Sequence, residues 1–294
     1  LPMNNLLLQS STRLQADLFL KKPSHALLLT GDVGSGKACL AKTLASKLLG
    51  CSSVQELQKY PYFTHLKRPD GKQDISIDSV RGVSKLLKLK TPGSHEVRRV
   101  VLIEDAQDLN EEASNALLKM LEEPAADCVF ILTAPSIHSV LPTISSRAQQ
   151  LQIRPASLGQ SLKFLDGNYL KSDIESAWRL SGGTAGLMLA ILHDDKDHPL
   201  KRAVDEAKQY LRKNKYDRAL LTDSLSRDKK QLSLFLEALV KLLGAVQRSG
   251  PRAGRDSQQK KLLASRKLVL KLQRAQEANV SPKLIALELS LNLL

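Results

Sequence analysis

Seven consecutive residues carry the most specific chemistry in the chain: Gly31-Asp32-Val33-Gly34-Ser35-Gly36-Lys37. Their spacing is G-x-x-x-x-G-K. They follow an apolar run at residues 26–30 and open a helical pattern over 37–49, the strand–loop–helix setting that a phosphate loop requires. Glycines there let backbone N–H groups turn inward around phosphate oxygens, the helix start adds partial positive charge, and Lys37 is expected to reach the outer phosphates of ATP or ADP. The next position departs from the pattern. A serine or threonine hydroxyl would bind Mg²⁺ there, and Ala38 has no oxygen to offer. Nucleotide is therefore expected to bind through the loop backbone and Lys37, with Mg²⁺ only weakly held.

A second chemical element is the run Val100-Val101-Leu102-Ile103-Glu104-Asp105, an apolar strand that ends in two carboxylates. In phosphoryl-transfer sites of this kind the first acid holds Mg²⁺ and the second polarises the attacking water. The usual order is Asp then Glu, and here it is reversed. Glu104 is a weak Mg²⁺ candidate, and Asp105, one methylene short, occupies a degenerate general-base position.

These two elements need a scaffold that brings strand ends together. Residues 26–133 alternate short apolar runs with helical patterns, which predicts an α/β domain with a parallel sheet covered by helices. Strands are expected at 26–30, 62–66, 99–103, 128–133 and 149–153. Helices are expected at 37–49, at 78–89 with Asp78 as N-cap, and at 110–123 with Asn110 as N-cap and Pro124 beyond the end. After Arg154-Pro155 the strand signals stop. Short helices are expected over 158–198, one of them ending at Ser181-Gly182-Gly183, and a basic helical region from about 200 with a loop at Arg248 to Arg255.

Charge follows the same division. The net charge is +14, of which +12 lies in residues 201–294. Such a segment suits a polyanion or an acidic protein surface, or is simply a well-solvated helical face. Aromatic residues make up 4% of the chain, which argues against a base-stacking platform for single strands. No apolar run reaches membrane-spanning length, and Leu1 to Asn5 has no basic region ahead of an apolar stretch, so neither a membrane span nor a signal peptide is expected. Cys39, Cys51 and Cys128 have no disulfide spacing and are expected as reduced thiols in the cytoplasm.

With these motifs in order, the chain resembles the AAA+ subunits of bacterial sliding-clamp loaders. The resemblance rests on the stretch from Asp105 to Pro124, on 129–135, on Leu141-Pro142-Thr143-Ile144-Ser145-Ser146-Arg147, on the approach at 23–30, and on Trp178 to Gly186. It is strong over about 20–190 and architectural beyond. It implies an AAA+ P-loop domain (1–155), a small helical lid (156–199) and a C-terminal all-helical collar (200–294) that joins a hetero-pentamer. It further implies a machine that opens the sliding clamp and places it on primer-template DNA.

By position, the resemblance makes Thr133 the sensor 1 residue. It makes Arg147 an arginine finger acting in trans on a neighbouring subunit, with Ser146-Arg147-Ala148 in place of Ser-Arg-Cys. The family's zinc module has four cysteines after the first helix; only Cys51 stands there, and His25, His65, His95 and His138 are scattered, so no zinc site is expected. The lid's sensor 2 arginine aligns with Leu187, which cannot contact a phosphate. These departures resemble the delta-prime subunit of DNA polymerase III most, with weak or absent hydrolysis by the chain itself. An ATP-hydrolysing gamma/tau-like motor and a solitary AAA+ DNA-remodelling protein are the alternatives.

Overall fold

A computed structural model describes residues 6–72, 74–93, 95–249 and 256–293. The stretch Leu1 to Asn5 and most of the loop expected at Arg248 to Arg255 lie outside these residues. The chain divides into two compact units, Leu1–Pro155 and Ala156–Leu294.

The first unit is built on five parallel strands: β1 (Ala26–Thr30), β2 (Phe63–Leu66), β3 (Arg99–Ile103), β4 (Cys128–Ala134) and β5 (Gln149–Gln152), in the spatial order β2-β3-β4-β1-β5. Strands β1, β3 and β4 are buried along their whole length, which explains why they read as continuous apolar runs. Because successive side chains point to opposite faces, each strand feeds two cores. Leu28, Val101, Ile103, Phe130 and Leu132 pack on one face with residues of α4 (Ile77–Leu87) and α5 (Glu111–Glu122). Leu27, Leu29, Val100, Leu102 and Ile131 pack on the other with α1 (Ser10–Lys21), α2 (Lys37–Leu48) and α3 (Val54–Lys59). A single turn, α6 (Pro142–Ser145), precedes β5.

Two N-caps were predicted in this unit. Asn110 caps α5, its side chain accepting from the Ala113 N–H at 2.8 Å. The other differs: α4 begins one residue earlier, with Ser76 at the cap and Asp78 inside the first turn. There Asp78 still complements the positive end of the helix and lies 3.8 Å from Arg81.

At the opposite end of the sheet from the phosphate loop, Asp127 organises the start of β3 and the end of α4. Its backbone carbonyl accepts from the Arg98 and Arg99 N–H groups. Its carboxylate accepts from Thr91, from Arg98 Nε at 3.1 Å and from the Arg99 guanidinium. Arg99, itself buried, also donates to the Leu87 and Leu89 carbonyls at 2.7 and 3.1 Å, capping the helix that ends there.

The second unit is helical: α7 (Leu158–Leu165), α8 (Lys171–Ser181), α9 (Ala185–Leu192), α10 (Pro199–Arg212), α11 (Lys215–Leu220), α12 (Thr222–Ser226), α13 (Lys229–Ser249), α14 (Asp256–Glu277) and α15 (Pro282–Asn292). The turn expected at Ser181-Gly182-Gly183 ends α8, with Gly182 at φ 64° in the left-handed region. Trp178 Nε1 donates to the Ala156 carbonyl at 2.8 Å, and Arg248 on α13 donates to the Arg179 carbonyl of α8 at 2.8 Å. The guanidinium of Arg218 is buried and donates to the Tyr210, Leu211 and Leu293 carbonyls at 2.9–3.1 Å, so it ties the end of α10 to the end of α15. Among the described residues no helix is long and apolar enough to cross a membrane.

Candidate functional site

The phosphate loop leaves the buried C-terminal end of β1 and turns directly into α2. Gly34 and Gly36 take φ values of 78° and 88°, left-handed conformations that turn successive N–H groups to one side. At Gly31 glycine is required for space as well. A Cβ there would lie 2.8 Å from the Ile153 carbonyl oxygen and 3.1 Å from Ser35 Oγ. Ser35 is buried, and its hydroxyl has no hydrogen-bond partner within the protein. Lys37 folds back over the loop, its Nζ donating to the Gly31 and Asp32 carbonyls at 2.6 and 2.9 Å. A cavity of about 740 Å³ opens beside the loop. It touches Gly31 and Asp32, is walled by Ser11, Gln152 and Arg154, and does not include Lys37 or Glu104. It therefore flanks the phosphate cradle and is not the cradle itself.

The acidic strand end lies across from the loop helix. Glu104 follows β3, and its carboxylate meets His65 Nε2 of β2 at 2.8 Å and Lys42 Nζ of α2 at 3.9 Å. The hydrogen bond with His65 holds this carboxyl below the ordinary carboxylate range; burial opposes that effect, and the charge of Lys42 adds to it. Asp105 adopts a left-handed conformation, φ 57°, and its backbone N–H donates to Thr133 Oγ1 at 2.9 Å. Thr133 is buried on β4, so its hydroxyl is engaged in fixing the turn that carries Asp105.

The loop suits a phosphate: it has left-handed glycines, a lysine at its mouth and an unpaired buried hydroxyl. Mg²⁺ does not fit the same residues. Position 38 offers a methyl group, and the carboxylate expected to hold the metal is held by His65 and Lys42.

Arg147 lies apart, just after α6. Its guanidinium pairs with Glu122 Oε1 at 2.8 Å and donates to the Thr143 carbonyl at 3.0 Å, with more than a third of the side chain exposed. Ala148, where the resembling motif has cysteine, is buried in the core beneath. Leu187, which the resemblance aligns with the sensor 2 arginine, is fully buried on α9. Sequence reasoning named Glu104, Asp105, Thr133 and Arg147 but missed Lys42, His65 and Glu122. For Lys42 a signal existed: it lies one helical turn beyond Ala38, on the same face. His65 and Glu122 are joined to their partners only by the sheet and by α5.

Comparison with known proteins places the chain in a family. The family model described as DNA polymerase III, delta subunit, matches residues 8–157. The DNA polymerase III subunit delta' of Pseudomonas aeruginosa is 35% identical over 156 residues, covering 48% of this chain and 47% of the relative. The subunit delta' of Escherichia coli is 31% identical over 187 residues, covering 58% and 55%. The chain thus spans about half the length of the curated relatives it matches. Among solved structures, a DNA polymerase III gamma subunit-related protein from Thermotoga maritima superposes with a TM-score of 0.53 at 17% identity, covering 95% of this chain and 97% of that one. This similarity extends the shared fold across both units.

Proposed function

Since the chain belongs to the DNA polymerase III delta subunit family, we propose that it is a delta-prime-like, cytoplasmic subunit of a clamp loader. In this reading it assembles with other loader subunits and helps place a sliding clamp on primer-template DNA. Residues 156–199 serve as the lid and 200–294 as the collar. The observation that carries the reading is a phosphate loop with its cradle intact beside a catalytic end that lacks both the hydroxyl and the long general base. Such a site binds nucleotide and turns it over poorly, while Arg147 offers a cation to a neighbour's site. Bound nucleotide would be held by the N–H groups of Gly31 to Lys37 and by the Lys37 ammonium, which balance phosphate charge.

The decisive experiment mixes the purified chain with the remaining subunits of a bacterial loader. A stable complex that loads clamps on primed DNA only when this chain is present is the expected result. A chain that elutes alone, or a loader equally active without it, overturns the proposal. Two further expectations concern the chain by itself. Its ATP turnover should stay below about 1 s⁻¹, the low end of ordinary enzyme rates, and faster turnover would favour the gamma/tau-like motor, a reading that the intact Gly31–Lys37 spacing supports. Titration calorimetry should detect ADP binding that Lys37→Ala weakens at least about tenfold, a loss of about 1.4 kcal/mol. Identical isotherms would mean that the loop binds no phosphate through Lys37.

A further inference from the structure

The carboxylate of Glu104 poses an electrostatic problem that this chain solves with its own side chains. An acidic group beside a phosphate loop repels the anion it faces, and in metal-dependent sites Mg²⁺ relieves that repulsion by bridging the two. Here Ala38 withdraws the first metal ligand. One helical turn further along the same face, Lys42 extends its ammonium to 3.9 Å from Glu104 Oε2. From the adjacent strand His65 Nε2 meets the same oxygen at 2.8 Å. This carboxylate oxygen is thus engaged by two nitrogen groups of the protein. Both reach it from ordered elements, α2 and β2, each anchored in the sheet's packing.

We propose that Lys42, with His65, replaces the divalent cation, so that this phosphate loop accepts a nucleoside di- or triphosphate without Mg²⁺. Lys42 offsets the Glu104 charge, His65 holds the carboxylate in place by its hydrogen bond, and Lys37 with the loop N–H groups supplies the attraction for phosphate. No bond is made or broken in this arrangement. It is a binding site adapted to hold nucleotide, and it differs from a metal-dependent one in the cation that balances its acid. The inference rests on the nucleotide-binding reading above.

Calorimetry separates the two. ADP is titrated into the full chain in EDTA and again in millimolar Mg²⁺, with the native protein, Lys42→Ala and Lys42→Arg. The native Kd is expected to agree between the two conditions within about threefold. In EDTA, Lys42→Ala should weaken ADP about tenfold, because the Glu104 carboxylate then loses its ammonium partner; Mg²⁺ should restore part of that loss, and Lys42→Arg should bind as the native chain does. Thermal melts of the variants check that each is folded. A native affinity that rises tenfold or more with Mg²⁺ would overturn this inference and leave the nucleotide-binding reading intact. An unchanged affinity for folded Lys42→Ala in EDTA would remove the role of Lys42. Absence of ADP binding in either condition would overturn the nucleotide-binding reading, and this inference with it.

Discussion

Replacing Arg147 with alanine is expected, on the clamp-loader function proposed above, to abolish the contribution of one neighbouring ATP site in the assembled loader while leaving this subunit folded. The guanidinium sits on an exposed turn after α6, paired with Glu122 at 2.8 Å and with the Thr143 carbonyl. Exposed pairs of this kind contribute about 0–1 kcal/mol, so the fold should tolerate the change with little loss. Its chemical effect is of a different order. A guanidinium supplied by one subunit stabilises charge that develops on the phosphoryl group of the next, and in related systems it is worth about 10³–10⁵ in rate. The site facing Arg147 should therefore lose turnover by about 10³-fold or more, and the assembly should lose that site's share of hydrolysis and load clamps more slowly. Steady-state ATPase and clamp loading on primed DNA measure both. Native rates from an intact Arg147→Ala assembly would show that this arginine does not act in trans.

The second large effect is on stability. Asp127→Ala should destabilise the α/β unit by about 3–5 kcal/mol, because it leaves the buried Arg99 guanidinium without its carboxylate. For a unit of this size that corresponds to a fall in Tm of roughly 10 °C or more. Burial alone would raise the Asp127 pKa, but the hydrogen bonds from Thr91, Arg99 and Arg98 outweigh it and hold the carboxyl at about 2. A folded-state pKa below the unfolded value of 3.8 contributes stability that is complete above pH 4 and is lost as the pH falls toward 2. The difference amounts to about 2 kcal/mol, so native protein should lose that much in acid and Asp127→Ala should lose correspondingly less. Chemical denaturation at pH 2.5 and pH 7 tests it; equal pH slopes would discount the role of Asp127.

The parts of this molecule that sequence made legible are those whose signal is local. β1, β3 and β4 are buried on both faces, so their apolar runs stand out, and the phosphate loop is a contiguous motif with correct flanks. The helix α1 went unrecognised because its buried residues, Thr12, Ala16 and Phe19, are few and sit among exposed polar ones, and because Gln9 offers no capping side chain. α3 was missed although Ser53 and Glu56 form its N-terminal capping pattern, since the helix spans only Val54–Lys59. Glu104 reads as a metal candidate in sequence because it ends an apolar strand, and the residues that engage it arrive from elsewhere: Lys42 from α2 and His65 from a strand that pairs with β3. The pairing of Arg147 with Glu122, at the end of α5, is equally absent from the sequence pattern. Pairings of this kind belong to topology, and no residue pattern announces them.

The strand order has a consequence for the time at which the site comes into being. The phosphate loop hangs from β1, yet β1 has no neighbour close to it in sequence: Ala26 aligns with Phe130 of β4, and Leu27 with Gln149 of β5. Closing a loop of roughly a hundred residues must precede any hydrogen bond to that strand, which places its docking late and makes it slow. On the ribosome, at about 5–20 residues per second, β1 waits unpaired for several seconds to tens of seconds before its partners emerge. Through that interval Leu27 and Leu29 can pack only on the nearby helices α1 and α2, and Leu28 lacks its partners on the other face. The strand that carries the phosphate loop is thus among the last to be framed by its sheet.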